Sequence, residues 1–332
     1  MINENLSYRI RWGTFICTVL VVLRHSLNNY AFYGTRDFPS WMVSFIENGF
    51  IRITDIAVPF FFLVSGYFFF GKKYLLNDGT YCAMLKKKVR TLLIPFVIWN
   101  VVGGIVLFIY KKELLGINIW SLLENFLKSQ WYGPLWYVRD IMLMMLLYPV
   151  YSWILRKKFR LLFLLILCVL SYFWEPGNSS VLSVEGMFFF LLGGLLTPIN
   201  IDKSYRKTIA CFLVLLWMIV SFCQIYFFRM LILKINILFG LISFWGICQQ
   251  LTRFDKSKYK ELFSFSFLIY VLHFYIEKIM KVTIGHYFYQ NDAVAIVAFF
   301  LIPILTILII LGLGKVLRKV FGKIYYISTG LR

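Results

Sequence analysis

Apolar segments of about 20 residues recur along most of the chain, and they constrain its fold more than any other feature. A segment of that length can cross the roughly 30 Å hydrocarbon core of a bilayer as a helix. Lipid offers no water to satisfy exposed backbone groups, so spanning segments of this length must be helical. The 332 residues are 61% hydrophobic and include 35 Phe, 21 Tyr and 10 Trp, well above the apolar share of a soluble domain. The sequence therefore predicts an all-α integral membrane protein.

The hydropathy pattern predicts about ten transmembrane helices in one bundle. We expect them to form a single domain over residues 1–332, with both termini in the cytoplasm. A tight connection at 228–230 leaves a count of nine or eleven open. The spans are predicted near 12–30, 48–70, 91–110, 135–155, 159–174, 184–198, 208–227, 231–250, 263–282 and 293–314.

The net charge of +20 might suggest a nucleic-acid partner, but its distribution fits a membrane protein better. Cytoplasmic loops of membrane proteins carry an excess of Lys and Arg. With the termini inside, 24 of the 35 Lys and Arg fall on inner segments and eight on outer ones. We therefore interpret the positive charge as topological and predict no nucleic-acid partner.

The six cysteines are scattered and show no paired spacing. They are predicted to be small core residues, neither a metal site nor a disulfide framework: Cys17, Cys82, Cys168, Cys211, Cys223 and Cys248. No metal ion or permanently bound cofactor is predicted.

The longest connection, 111–134, has apolar residues at helical spacing between Ile119 and Leu127 and two tryptophans suited to the headgroup level. We predict a helix lying on the outer surface of the membrane. A plain linker is the alternative.

Ionisable side chains recur at one predicted depth, and they are costly in hydrocarbon unless they face a protein interior or a wet cavity. His25 lies 14 residues past Arg11, about 21 Å from the inner face at 1.5 Å per residue. Groups from four further helices share this outer half: Arg52, Asp55, Arg139, Asp140, Glu185, His273 and Glu277. The pattern predicts a solvated cavity that opens outward. A buried histidine satisfied by a neighbouring helix is the alternative.

Histidine is the side chain best suited to take a proton from a hydroxyl near neutral pH. On the inner side, Lys86, Lys87 and Arg90 precede an apolar helix and offer positive charge to the phosphates of an anionic donor. Ordinary inside charge or contact with anionic lipid is the alternative for this cluster.

Six motifs in order resemble membrane-bound acyltransferase family 3, which includes bacterial O-acetyltransferases of surface polysaccharides. They cover about 280 residues and include a first-helix histidine motif, a Ser-Gly stretch, a basic cluster before a proline-containing helix and a Tyr-x-x-His helix. In this chain they read VVLRHS (21–26), IAVPFFFLVSGYFF (56–69), KKKVRTLLIPFVIW (86–99), GPLWYVRDIMLMMLLYP (133–149), VEGMFFFLLGGLL (184–196) and SFLIYVLHFYI (266–276).

The resemblance implies transfer of an acyl group, usually acetyl from acetyl-CoA in the cytoplasm, to a carbohydrate hydroxyl outside a bacterial plasma (inner) membrane. His25 matches the catalytic histidine, and Lys86, Lys87 and Arg90 match the basic cluster that handles the CoA phosphates. Ser65 matches the Ser-Gly element. Many members carry an arginine where this chain has Thr14, and Arg11 is the candidate replacement.

The remaining assignments rest on predicted depth. Asp55 or Glu185 is a candidate to orient the imidazole. The acceptor side is predicted to be lined by Arg24, Trp136, Tyr137, Arg139 and Asp140, although Arg139 and Asp140 would serve equally as packing ion pairs with Arg52 or Asp55. His273 is interpreted as a structural hydrogen-bonding residue, with a second base as its alternative. Two rival functions stay open, a secondary transporter and a polysaccharide flippase or polymerase.

Overall fold

The computed structural model describes residues 4–34, 40–72, 79–111, 118–173, 181–199, 201, 206–223 and 231–330, and these residues form helices and connections without a β-strand. The chain divides into two compact units. The first comprises Met1–Phe60 and Asp202–Val316, and the second comprises Phe61–Ile201 and Leu317–Arg332. That both belong to one domain stays a prediction.

The first unit contains seven of the numbered helices, and a π-helical turn, Asn29–Tyr33, follows the first of them. Within this unit, the first helix packs against four others, which begin at residues 41, 231, 256 and 266. The helices are α1 (Glu4–His25), α2 (Trp41–Thr54), α11 (Lys207–Cys223), α12 (Leu231–Leu251), α13 (Lys256–Ser264), α14 (Ser266–Tyr287) and most of α15 (Asp292–Val320).

The second unit contains the remaining helices. A π-helical turn, Val89–Leu93, interrupts the chain between its second and third helices. The helices are most of α3 (Ala57–Gly71), α4 (Thr80–Lys88), α5 (Ile94–Lys111), α6 (Ile119–Leu127), α7 (Trp136–Leu146), α8 (Tyr148–Arg156), α9 (Arg160–Phe173), α10 (Val184–Leu196) and α16 (Gly322–Ser328).

Helices α3 and α10 approach closely because glycines lie at their contact. A Cβ atom on Gly66 would lie 1.9 Å from the carbonyl oxygen of Phe190, and one on Gly193 would lie 2.0 Å from that of Leu63. Small residues let helix backbones approach in membrane proteins. The glycine of the Ser-Gly element therefore has a packing role.

Each of the ten predicted spans contains a helix of the structure, but the number that cross the membrane stays a prediction. Four helical stretches of the described chain are long and apolar enough to span: Glu4–Tyr33, Trp41–Gly71, Thr80–Ile109 and Asp292–Val320. Two further pairs, α7 with α8 and α13 with α14, would each make a span bent by 64° and 48°. The orientation of the termini also stays a prediction.

Two predicted segments, 48–70 and 111–134, can be compared with the structure in more detail. The predicted span 48–70 contains a two-residue turn at Asp55 and Ile56, between α2 and α3, within the helical stretch Trp41–Gly71. The amphipathic part of the connection 111–134 is helical, as α6, and its Trp120 is exposed. Residues 112–117 of that connection and 224–227 of the seventh predicted span lie outside the described residues.

Candidate functional site

The imidazole of His25 lies beside a second imidazole. His25 is the last residue of α1 and is half-buried. Its ring centroid is 5.1 Å from that of His273 on α14, and 5.6 Å from the ring of Phe274. The sequence placed both histidines in the outer half of the bilayer, and the structure brings their rings together.

The hydrogen bonds of His273 fix the roles of its two ring nitrogens. Nδ1 lies 2.8 Å from the carbonyl oxygen of Tyr270 and 3.2 Å from that of Ile269. Carbonyl oxygens only accept, so Nδ1 carries the proton and, in the neutral ring, Nε2 is an acceptor. Nε2 is buried and has no hydrogen-bond partner in the part of the chain that the structure describes. The predicted hydrogen-bonding role therefore accounts for one nitrogen and leaves the other open.

Glu277 and Lys281 extend this polar face one and two turns along α14. Both carboxylate oxygens of Glu277 are buried without a hydrogen-bond partner among the described residues. Lys281 is close enough to interact with the charges of Glu277 and of Glu47 on α2. Its Nζ donates hydrogen bonds to the backbone carbonyls of His25, at a short distance, and of Leu27, at 3.2 Å.

Asp55 is engaged by two arginines. Its Oδ1 accepts a short hydrogen bond from Nη1 of Arg24, and its Oδ2 lies 3.3 Å from Nη1 of Arg52. The same Nη1 of Arg24 is 3.4 Å from Oγ1 of Thr54. Asp55 therefore ties the last turn of α1 to the end of α2, and its predicted role in orienting His25 stays a prediction.

The arginines near the start of α1 differ in environment. Arg11 is exposed, whereas Arg9 is 1% exposed. Nε and Nη2 of Arg9 donate to the carbonyl oxygen of Trp245 at 3.1 and 2.6 Å, and its guanidinium lies 4.0 Å from the centre of that ring. The donor role that the sequence assigned to Arg11, as a replacement at Thr14, stays a prediction.

In the second unit the basic cluster forms an open groove. Lys86, Lys87 and Arg90 are exposed, and together with Val89 and Thr91 they line a volume of about 620 Å³. The π-helical turn supplies three of the five lining residues, and such turns are frequent at functional sites. The arrangement suits a phosphate-bearing ligand.

The aromatic residues of α7 face the Ser-Gly element. The hydroxyl of Tyr137 is 3.2 Å from Oγ of Ser65, and its ring is 4.8 Å from that of Phe62. Trp136 is half-buried, with its ring 6.1 Å from that of Phe62. The structure brings Ser65 and Tyr137 together, although the sequence assigned them to the donor and the acceptor respectively.

Arg139 and Asp140 form a buried ion pair with each other. Nη2 and Nε of Arg139 are both 2.8 Å from Oδ1 of Asp140, and the backbone N–H of Ser183 donates to Oδ2 at 2.8 Å. Ser183 caps α10, whose first turn holds the buried Glu185. The alternative of a packing ion pair thus applies, but Asp140 itself is the partner of Arg139. Roles of these residues and of Glu185 toward substrate stay predictions.

Two polar residues near His25, Lys281 and Glu47, were not predicted from the sequence as site residues. Lys281 was counted as an outer-loop charge, although the spacing of His273, Glu277 and Lys281 places all three on one face of a helix. Glu47 is fully buried, and its oxygens accept from the backbone N–H and the Nδ2 of Asn28 at 3.1 and 3.2 Å. The four-residue spacing was the available signal for Lys281.

A family model described as an acyltransferase domain, Acyl_transf_3, matches residues 8–314. The chain belongs to the acyltransferase 3 family. The resemblance seen in six motifs is thereby confirmed, as is the prediction of an O-acyltransferase enzyme. Membership of this family favours acyl transfer over the transporter and flippase alternatives.

This acyltransferase is also similar to a curated protein, the succinoglycan biosynthesis protein ExoH of Rhizobium meliloti (strain 1021). The two are 24% identical over 279 residues, which cover 76% of this chain and 73% of that protein. No solved structure is significantly similar to the chain.

Proposed function

We propose that this acyltransferase moves an acyl group, acetyl in the first instance, from a cytoplasmic CoA thioester to a hydroxyl of an extracytoplasmic carbohydrate. The proposal includes a position in the bacterial plasma (inner) membrane. Family membership supports the reaction class, and the similarity to a succinoglycan biosynthesis protein supports a polysaccharide acceptor.

The observation that carries the proposal is the pair of imidazoles formed by His25 and His273. The ring of His25 lies 5.1 Å from that of His273, and Nε2 of His273 is a buried acceptor without a hydrogen-bond partner among the described residues. Hydrogen-bond acceptors left open in an apolar protein are costly. A substrate hydroxyl is a donor that would satisfy them.

In the proposed reaction His25 acts as the general base. A ring nitrogen of His25 takes the proton of the acceptor hydroxyl while the hydroxyl oxygen bonds to the thioester carbonyl carbon. The carbon–sulfur bond then breaks, and the CoA thiolate leaves and is protonated by the imidazolium. In the alternative route the His25 imidazole attacks the thioester carbonyl carbon and the CoA thiolate leaves, so that the acyl group is carried on nitrogen. The hydroxyl oxygen then attacks this carbonyl carbon, the carbon–nitrogen bond breaks, and the hydroxyl proton passes to the CoA thiolate.

The donor assignment rests on the open groove of Lys86, Lys87 and Arg90. Their charges are available to phosphates because they are exposed and line one concave surface. Ser65 and Arg11 are proposed as further donor contacts on the resemblance alone. Acetyl-CoA enters as a co-substrate, and the chain is proposed to hold no permanent cofactor.

The acceptor assignment is carried by Trp136 and Tyr137, whose half-buried rings can stack on a sugar. Arg24 is exposed at the turn that holds His25, and Arg139 and Asp140 are proposed to support this side through their ion pair. Orientation of the imidazole is assigned to Asp55 or Glu185. Asp55 has the stronger support, because its ion pair with Arg24 restrains the residue next to His25.

The test uses membranes that contain the full chain, labelled acetyl-CoA and oligosaccharides prepared from succinoglycan. We expect release of CoA and labelled saccharide from the parent protein. His25→Ala is expected to lower this rate by about 10²–10⁴-fold, the usual contribution of a general base.

The matched control is His286→Ala, because His286 is exposed on the same helix as His273 and is expected to keep parental activity. Acetylation that persists in His25→Ala would falsify the mechanism. Uptake of saccharide without loss of the thioester would support the transporter instead.

A further inference from the structure

The C-terminal end of α1 is capped by the side chain of Lys281, a residue of α14. The final carbonyls of an α-helix have no partner inside the helix and must be satisfied from elsewhere. At the end of α1, Nζ of Lys281 donates to the carbonyl oxygens of His25 and Leu27. A cation at a helix C-terminus also interacts favourably with the helix dipole.

The residues that follow α1 form side-chain hydrogen bonds with α2, α14 and α15. The Oγ of Ser26 donates to the carbonyl oxygen of Phe299 on α15 at 3.0 Å, and Nδ2 of Asn28 donates to that of Ala295 at 2.8 Å. Glu47 of α2 accepts from Asn28. Lys281 is the member of this set that bonds to His25 itself.

The surroundings of Lys281 account for an ammonium group in an apolar helix. Glu47 and Glu277 are both close enough to interact with its charge, and an unpaired lysine at the centre of a bilayer helix costs about 2.5–3.5 kcal/mol on insertion scales. Lys278, one turn away, is exposed. The position therefore combines charge balance with a direct bond to the backbone of the candidate base.

We propose that Lys281 is a positioning residue that fixes the backbone of His25, and thereby the direction of its imidazole against His273. This inference rests on the proposed function, since it concerns the same base. Its physical reason is that a misplacement of about 1 Å at a reacting group can lower a rate by about 10²-fold. Lys281 reaches His25 through its carbonyl oxygen, so it acts through that residue and not on substrate.

The test compares Lys281→Met, Lys281→Arg and the control Lys278→Met in the full chain, in one detergent, with acetyl-CoA and succinoglycan oligosaccharides. We expect Lys281→Met to lower kcat about 10²-fold with the KM for acetyl-CoA unchanged. Lys281→Arg should recover most of that loss, because a guanidinium can still donate to both carbonyls. Lys278→Met should match the parent.

A merely structural cap gives a different result. In that case Lys281→Met loses activity only in proportion to its folded fraction, measured by thermal unfolding, and the inference is overturned. Equal losses in the Met and Arg variants overturn it as well. If Lys281→Met does not fold, Lys281→Gln decides: a lowered kcat with the parental KM supports positioning, and a parental kcat overturns it.

Failure of this inference and failure of the proposed function are distinguishable. If His25→Ala is inactive while Lys281→Met keeps the parental kcat, only the positioning role is lost. If His25→Ala stays active, the base itself has been assigned wrongly.

Discussion

Two buried polar clusters, one in each unit, differ in whether their hydrogen-bond acceptors have partners. In the second unit both carboxylate oxygens of Asp140 accept hydrogen bonds at 2.8 Å, Oδ1 from Arg139 and Oδ2 from the N–H of Ser183. In the first unit Nε2 of His273 and both oxygens of Glu277 are equally buried, yet have no hydrogen-bond partner in the described chain. We call the first cluster closed because the acceptor oxygens of Asp140 are filled, and the second open because its acceptors are not.

The difference separates structure from chemistry. The ion pair and the bond to Ser183 fix α7 against the start of α10. The lone pairs of Asp140 that accept from Arg139 and Ser183 are therefore not available to a ligand. An open acceptor costs about 1–3 kcal/mol, and such a cost persists where function needs it. The comparison therefore supports the proposal that the reacting hydroxyl binds beside His25 and His273.

The largest effect is expected from opening the closed cluster. Arg139→Ala leaves the carboxylate of Asp140 buried without its charge partner, and breaking a buried pair typically costs about 3–5 kcal/mol. We expect a correspondingly lower free energy of unfolding and a reduced yield of folded protein. Thermal unfolding in detergent measures it, and the activity of each folded molecule should change less than the yield.

Lys157→Met is the control, since Lys157 is an exposed cation of the same unit, and it should unfold like the parent. If Arg139→Ala is as stable as the parent, then the pair is not structural. A selective loss of activity in that variant would return Arg139 to the acceptor side.

The sequence predicted the helices and placed His25 and His273 at one depth. It did not predict which polar groups pair with each other. Apolar runs suffice to predict a helix in lipid, because the environment leaves few other options. The turn at Asp55 was not predicted, and Asp55 there pairs with Arg24, which lies 31 residues earlier in the chain. Periodicity likewise could not predict that Arg9 is buried against Trp245 while Arg11 is exposed. Long-range contacts decide such partners.

A smaller effect, opposite in sign for stability, is expected from removing the open acceptor. His273→Phe keeps an aromatic ring at this position and deletes the unsatisfied Nε2, together with the Nδ1 hydrogen bond to the carbonyl oxygen of Tyr270. We expect the free energy of unfolding to stay equal or rise by about 1 kcal/mol, while the rate falls at least about tenfold, or about 1.4 kcal/mol of transition-state stabilisation. Paired measurements of thermal unfolding and acetyl transfer check both.

His286→Phe, on the exposed part of α14, is the matched control and should change neither quantity. A His273→Phe protein that is less stable but fully active per folded molecule would make His273 a structural residue. The contrast between the closed and the open cluster would then disappear.

The smallest effect on stability is expected from replacing the exposed charges of the groove, because water solvates them in the folded protein. Replacing Lys86, Lys87 and Arg90 by Met removes the positive charge of the groove while no buried partner is lost. We expect the KM for acetyl-CoA to rise about tenfold with little change in kcat, because binding to a phosphate by charge is equal in the ground and transition states. The triple variant of Arg156, Lys157 and Lys158 to Met, which also removes three exposed positive charges, is the charge-matched comparison.

Salt dependence distinguishes donor binding from contact with lipid at this groove. Exposed charges are screened over about 8 Å at physiological ionic strength, so the KM of the parent for acetyl-CoA should rise with added salt. The triple variant has no groove charge left to screen, and its KM should depend on salt less steeply. If both proteins respond alike, the cluster serves membrane orientation or anionic lipid. The donor would then have to be bound by residues other than Lys86, Lys87 and Arg90.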